Sequence, residues 1–222
     1  MHTVRSPRSF NSQIGVPLSL WEIGPDAEIG IFEAGISECG EMDSLRTMIS
    51  PNLGVITNVG IEHADGFTSR SEKCDEKLRL LAQRAAETIP ADRRITVSRI
   101  ASNDADIKIR TSIDRAASVS HVRYVSSRFG KNGEITIPFT TEAALDNASL
   151  AIGVLIALDI DPMEVADRFA SMPHVDTRLN VIEGVNNSTL ITDHYAADYP
   201  SLLSALDFMN RRRTPGQHTT VI

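Results

Sequence analysis

The chain has 222 residues, a formal net charge of −7, 41% hydrophobic residues and 23% charged residues. This length suits one large domain, or one domain with part of another, and the hydrophobic content is enough for a sizeable core. The acidic balance argues against a general nucleic-acid-binding role.

Three features bear on the cellular compartment. The longest apolar run, residues 148–160, is interrupted by polar residues, so we expect no membrane-spanning helix. Residues 1–10 lack the apolar stretch of a secretory signal. Cys39 and Cys74 form no CxxC pair and are typical of reduced thiols. We therefore expect a cytoplasmic protein.

The first part of the chain shows a strand–helix–strand pattern. Residues 28–33 (EIGIFE) and 54–58 (GVITN) are short runs rich in β-branched residues, which are typical of buried strands. Residues 41–49 (EMDSLRTMI) predict a helix between them, which Pro51 ends. This order predicts a parallel sheet covered by helices.

The middle of the chain changes from helical to alternating periodicity. A long helix is predicted for residues 71–87, with an apolar stripe at Cys74, Leu78, Leu81 and Ala85. Short alternating strands follow, with a turn at residues 130–133, and then two helices. The predicted strands are residues 95–98, 106–110, 121–126 and 134–139, and the predicted helices are residues 142–158, expected to be buried, and 162–170.

A new α/β unit begins near residue 177. The predicted elements are a hairpin, a helix and a last strand, at residues 178–183 with 188–193, 198–212 and 218–222. The fold class is therefore α/β, with a parallel sheet, flanking helices and a small antiparallel β portion in residues 1–176, and a second domain that opens in residues 177–222.

Two side chains at predicted strand ends suggest a metal–phosphate site. Glu33 closes one strand and His63 follows the other through a short loop. Ligands of such sheets bind off the carboxyl ends of the strands, and a carboxylate with an imidazole suits Mg²⁺ or Mn²⁺. From spacing alone, such residues are more often solvated or capping, and Lys77 alone is an ordinary surface lysine near Lys73.

Several segments together resemble the Mur ligase family. Residues 5–18 (RSPRSFNSQIGVPL) are similar to the family pattern S-P-x-x-[YF]-N-[NS]-x-[IV]-G-x-P-L. Residues 32–35 (FEAG) resemble its E-[MA]-G strand end, and residues 57–63 (TNVGIEH) resemble its T-N-[IV]-G-x-x-H element. Lys77 then falls where the family has a lysine that CO₂ carbamylates.

The resemblance implies a role for each matching residue. Glu33, His63 and carbamylated Lys77 are implied as catalytic residues that hold Mg²⁺. The implied substrate-binding residues are Ser6, Asn11, Gln13 and Gly15, and the implied ATP-binding residues are Asn58, Asn147, Arg178 and Asp193.

The resemblance also implies a domain organisation, with some departures. Residues 1–176 correspond to the central ATPase-type domain and residues 177–222 to the start of a Rossmann-like C-terminal domain. The G-x-x-G-K-[ST] phosphate loop, which precedes Ser6 in the family, is not among these residues. Asp146, Asn180 and Ala196 stand where the family has a histidine, an acid and an asparagine. We therefore expect a fragment that does not catalyse ligation alone.

Within the family, the segments SFNSQIGVPLSLW and EGVNNSTLITD are closest to MurF-type ligases, of the kind fused to an alanine racemase. That likeness implies ATP-dependent addition of D-Ala-D-Ala to UDP-MurNAc-tripeptide through an acyl phosphate. The missing phosphate-loop segment or a racemase domain would belong to the complete protein. Two alternatives stay open: a non-catalytic remnant that binds a UDP-peptide or a partner, and another Mur or folylpolyglutamate-type ligase.

Overall fold

The computed structural model describes residues 2–60, 66–81, 92, 94–100, 104–173, 179–193 and 199–221. The backbone divides into two compact units, Met1–Ile95 and Thr96–Ile222. This division lies within the predicted central domain. The predicted boundary between residues 176 and 177 lies outside the described residues.

The first unit contains a pair of short parallel strands. Strand β1 (Thr3–Arg5) pairs with β2 (Ile29–Ile31), with Thr3 opposite Ile29 and Arg5 opposite Ile31. Helix α1 (Gly15–Trp21) lies between them in the chain. The strand predicted around residues 28–33 is confirmed, whereas β1 was not predicted, because three residues are too few for a recognisable period.

The predicted strand at residues 54–58 is wrong. These residues are not assigned to a strand, and no described strand pairs with them. Their β-branched side chains favour an extended backbone, but a strand also needs a neighbour that supplies ladder hydrogen bonds.

The helix predicted at residues 41–49 is confirmed as α2 (Glu41–Ile49). The residues on either side of α2 have left-handed backbone conformations. Gly40 has φ 90° and Ser50 has φ 46°. Helix α3 (Arg70–Leu78) follows its N-cap residue Ser69, whose hydroxyl accepts a hydrogen bond from the Glu72 N–H. It ends earlier than residue 87, and residues 82–90 lie outside the described residues.

The core of the first unit is small. Val16, Ile36, Met42 and Leu45 form its buried cluster, and Phe67 and Leu80 are among the residues packed against it. The apolar stripe predicted on α3 is wrong within the described residues, because Leu78 is exposed. The buried residues of α3 are Lys73 and Glu76.

The second unit is built on a four-stranded sheet with strand order β3–β4–β5–β6. Its strands are β3 (Val97–Ser98), β4 (Ile107–Asp114), β5 (Val119–Ser126) and β6 (Lys131–Ile137). β3 and β4 are parallel and the other pairs are antiparallel. The four predicted strands are confirmed. The turn predicted at residues 130–133 lies earlier, at residues 127–130, and ends at Gly130, which has φ 62°.

One face of this sheet is buried against helix α4 (Glu142–Ala157). The buried side chains alternate along each strand, as expected for a half-buried sheet. They are Ile107, Ile109, Val122, Tyr124, Ile135 and Ile137 from the strands, with Leu145, Ile152 and Ile156 from α4. A 3₁₀ helix (Pro162–Val165) and α5 (Ala166–Ala170) follow, where one helix was predicted.

The last described elements are β7 (Asn180–Glu183), β8 (Thr189–Thr192) and α6 (Tyr199–Arg212). β7 and β8 form the predicted antiparallel hairpin. The predicted last strand is wrong over residues 218–221, which have no regular structure. The described part of the chain has no single helix that is long and apolar enough to cross a membrane. Helix α4 and residues 162–170 would together be long and apolar enough to cross a membrane, but the chain bends by 119° between them.

Candidate functional site at the ends of β1 and β2

The chain segments that leave β1 and β2 are joined by hydrogen bonds. The Ser6 N–H donates to the Ile31 carbonyl at 3.0 Å, and the Glu33 N–H donates to the Ser6 hydroxyl at 3.3 Å. The Asn11 side-chain amide donates to Oε1 of Glu33 at 2.9 Å. The structure therefore brings together Ser6, Asn11 and Glu33, three of the predicted site residues.

The close approach of Asn11 to the second strand end depends on Gly35. The Gly35 N–H donates to the Asn11 carbonyl at 2.7 Å. A Cβ atom on Gly35 would lie 2.9 Å from both Cγ and Nδ2 of Asn11, so any larger residue would displace this side chain. Glu33 itself is exposed, with one carboxylate oxygen oriented by Asn11. An exposed, oriented carboxylate at a strand end has the chemistry of a Mg²⁺ ligand.

Two further predicted residues lie at the start of α1. The Gln13 side-chain amide donates to the Glu41 carbonyl at 3.0 Å, so it contacts the start of α2. Gly15 is buried, and a Cβ there would lie 2.8 Å from the Phe10 Cα atom. Gly15 therefore permits close backbone packing.

Lys77 extends from α3 to the segment that precedes the predicted histidine. Its Nζ atom lies 3.4 Å from the Asn58 carbonyl oxygen, a long hydrogen bond. Lys77 is half-buried and Asn58 is exposed. The backbone of Asn58, rather than its side chain, makes this contact.

The predicted metal set is described only in part. His63 lies outside the described residues, as does Arg178. Among the residues that the structure does describe, no three or more His, Cys, Asp or Glu side chains are grouped closely enough to hold a metal ion. The predicted set of Glu33, His63 and modified Lys77 stays a prediction.

The remaining predicted residues belong to the second unit. Asn147 is exposed on α4, and Asp193 follows β8 with a buried Oδ1 atom that has no partner in the described structure. Asp146 is bound by Arg99, whose Nη1 donates to its Oδ1 at 2.7 Å. Arg99 also donates to Glu142 at 2.8 Å. Arg99 thus ties the first turns of α4 to the end of β3.

The sequence did not single out Lys73, Glu76 or Arg99. Glu76 is 2% exposed and accepts backbone hydrogen bonds from Gly40 at 2.7 Å and Met42 at 3.1 Å. A charged pair three positions apart on a helix looks like an ordinary solvated face. The burial of such residues depends on distant segments, so no local pattern reveals it.

Comparison with known proteins identifies the family to which this chain belongs. The model of the Mur ligase middle domain matches residues 1–155. The chain therefore belongs to the Mur ligase middle-domain family, and the resemblance inferred from its motifs is confirmed.

Individual relatives agree with this assignment. A Rickettsia prowazekii protein named UDP-N-acetylmuramoyl-tripeptide--D-alanyl-D-alanine ligase is 25% identical, over 96% of this chain and 50% of its own length. A Geobacter sulfurreducens protein named UDP-N-acetylmuramate--L-alanine ligase is 26% identical, over 91% of this chain and 47% of its own length. The chain spans about half the length of the curated relatives it matches.

A solved structure shows the same fold. The crystal structure of MurF from Acinetobacter baumannii matches with a TM-score of 0.78 and 19% identity, over 96% of this chain and 49% of that protein. The α/β fold class predicted from the sequence is confirmed.

Proposed function

We propose that this chain forms the central part of a cytoplasmic MurF-type ligase, which joins D-Ala-D-Ala to UDP-MurNAc-tripeptide at the expense of ATP. The observation that carries the proposal is the cluster of Ser6, Asn11 and Glu33 in a chain of this family. The name of the Rickettsia relative supports the substrates. In our proposal residues 1–176 form the central domain and residues 177–222 open the C-terminal domain.

In the proposed reaction, ATP phosphorylates the terminal carboxylate of the peptide, and the incoming amine then displaces phosphate from the acyl phosphate. Mg²⁺ would supply positive charge beside the phosphates, held by Glu33, His63 and carbamylated Lys77. Ser6, Asn11, Gln13 and Gly15 would form the UDP-peptide side. Asn58, Asn147, Arg178 and Asp193 would contact the nucleotide.

Lys77 enters the proposal as a modified residue. The nitrogen lone pair of its neutral amine attacks the carbon of CO₂, an N–C bond forms, and the amine releases one proton to solvent. The product is a carboxylate on a long arm, which suits a divalent cation better than an ammonium group does. The reach of Lys77 to the Asn58 carbonyl supports this role, because it places the amine beside the T-N-V-G segment.

The decisive experiment is a phosphate-release assay on a complete enzyme. In this enzyme the chain replaces the matched region of the Rickettsia prowazekii ligase, and circular dichroism confirms that the protein is folded. We expect phosphate release that requires both UDP-MurNAc-tripeptide and D-Ala-D-Ala. Lys77→Ala should abolish it, whereas the control Lys108→Ala, on an exposed strand residue, should not.

Two results would contradict parts of the proposal. A folded complete enzyme that releases no phosphate would favour a non-catalytic binding fragment. Unchanged turnover in Lys77→Ala would remove Lys77 from the site.

A second candidate is a Mur ligase with another substrate pair. The Geobacter relative, named for L-alanine addition to UDP-N-acetylmuramate, matches at an identity close to that of the Rickettsia relative. Offering the complete enzyme both substrate pairs separates the two candidates. Preferential use of L-alanine with UDP-N-acetylmuramate would favour the second.

A further inference from the structure

Lys73 is a buried lysine that the proposed reaction does not use. It is 4% exposed, and its Nζ atom donates to the Gly60 carbonyl at 2.9 Å. The ring centroid of Phe67 lies 6.0 Å from the same nitrogen. A buried ammonium group is costly unless hydrogen bonds satisfy it, so this contact is directional and specific.

Lys77 makes a parallel contact one helical turn further on. Lys73 donates to Gly60, and Lys77 donates to Asn58 at 3.4 Å. Four residues advance a helix by about 6 Å. Two residues of extended chain advance by about 6.6 Å. The spacing of Lys73 and Lys77 along α3 is thus close to the advance of two residues of extended chain, and Lys73 makes the shorter of the two bonds.

The segment that receives these bonds has no strand partner among the described residues. Residues 54–60 are not assigned to helix or strand. The Asn58 and Gly60 carbonyls accept hydrogen bonds from side chains of α3 instead of from a strand. The same segment carries Asn58 and leads in sequence towards His63.

We propose that Lys73 is a positioning residue, which fixes the Gly60 carbonyl against α3 and thereby keeps the Lys77 amine beside Asn58. If this segment were mobile, the Asn58 carbonyl would not stay beside the Lys77 amine. The carbamate nitrogen of a modified Lys77 keeps one N–H, and the fixed segment keeps the Asn58 carbonyl in place as its acceptor, which favours the modified side chain. The functional part of this inference rests on the proposed function, whereas the structural part does not.

The structural part is tested by amide hydrogen exchange on the full 222-residue chain. Lys73→Met removes the donor and keeps a long buried side chain, whereas Lys73→Arg keeps donors. We expect exchange in residues 55–60 to rise about tenfold in Lys73→Met and to return towards the wild-type rate in Lys73→Arg. The matched control is Lys108→Met, on an exposed residue of β4.

Exchange in residues 55–60 that stays at the wild-type rate in a folded Lys73→Met protein would overturn the inference. So would a Lys73→Arg protein that exchanges as fast as Lys73→Met, since a packing role alone would give that result. If Lys73→Met does not fold, Lys73→Leu serves in its place, because it also removes the donor and keeps an apolar buried side chain.

The functional part is tested by NMR of the chain in isotopically labelled bicarbonate. A carbamate carbon signal that disappears in Lys77→Ala identifies the modified lysine. We expect Lys73→Met to weaken this signal by about tenfold at equal bicarbonate, given that the anchored segment favours it. An equal signal in wild type and Lys73→Met would overturn this part. No signal in the wild type would contradict the proposed modification, while the exchange experiment would still decide the structural role of Lys73.

Discussion

The sheet of the second unit and helix α3 of the first unit bury their side chains in opposite ways. The sheet buries alternating apolar residues, such as Ile109, Val122 and Ile135, against α4. Helix α3 instead buries Lys73 and Glu76. Apolar burial is non-directional and tolerates small shifts, whereas a buried charge requires a hydrogen-bond partner at a defined point.

The buried Glu76 of α3 has such defined hydrogen-bond partners. Its carboxylate accepts from the backbone of Gly40 and Met42, so a residue of α3 caps the start of α2. Gly40, at the N-cap position, has no side chain to perform this role. Arg79 lies 3.2 Å from the same carboxyl group. The start of α2, which Gln13 of the candidate site contacts, is therefore bound to α3 through specific polar contacts, whereas the sheet of the second unit packs on α4 through apolar side chains.

The largest expected loss of stability is in the apolar core of the second unit. Leu145→Ala removes a fully buried side chain from α4, and we expect it to lower the free energy of unfolding by about 2–5 kcal/mol. Chemical denaturation followed by circular dichroism measures the loss. The control Leu158→Ala changes an exposed leucine at the end of the same helix. Equal losses in both variants would refute the proposed apolar core.

A somewhat smaller effect is expected from the polar contacts of α3. Glu76→Ala leaves two N–H groups at the start of α2 without their acceptor, which costs about 1–3 kcal/mol. Hydrogen exchange at Gly40 and Met42 reports this change locally. Asp75→Ala, exposed on the same helix, is the control and should change little. If the two variants behave alike, Glu76 does not cap α2.

A pH dependence is expected in the second unit at Asp106. Burial alone would raise the pKa of Asp106, but hydrogen bonds from Thr96 and the neighbouring Arg128 outweigh it, so the pKa lies below its ordinary value. The ionised group therefore stabilises the fold above the unfolded-state pKa, and this stability is lost as pH falls through the folded-state value.

Acid titration of stability tests this contribution. Asp106→Asn should be less stable than wild type at neutral pH, and the difference should shrink as the solution becomes more acidic. Thr96→Val removes one of the donors to Asp106 and should have the same sign with a smaller size. A constant difference between wild type and Asp106→Asn at all pH values would contradict the lowered pKa.

The smallest effect is expected at Trp21, the single tryptophan of the chain. Its side chain is 87% exposed at the end of α1. Trp21→Phe should change the free energy of unfolding by less than about 0.5 kcal/mol. The wild-type fluorescence should be quenched strongly by iodide. Weak quenching would show that this end of α1 is covered.

Sequence periodicity predicted the packed regions well, because apolar burial follows the repeat of the element itself. The strands that carry Ile109, Val122 and Ile135 and the buried helix α4 are examples. Pro51 likewise predicted the end of α2, which stops at Ile49.

The polar contacts were not predictable in the same way. Lys73 and Glu76 have the appearance of solvated residues, and their burial depends on loops from other parts of the chain. Arg99 and Asp146 pair across 47 positions of sequence. Ser6 and Asn11 were found only through family resemblance, whereas the end of a predicted strand already indicated Glu33.

Manganese binding tests the central claim most directly, because it asks whether these residues form a metal site. Mn²⁺ is titrated into the full 222-residue chain in bicarbonate buffer and followed by electron paramagnetic resonance. We predict one specific site that Glu33→Gln and Lys77→Ala each weaken at least about tenfold, while Glu134→Gln, on β6, does not. Equal binding by all four proteins would contradict a metal site built on Glu33 and Lys77.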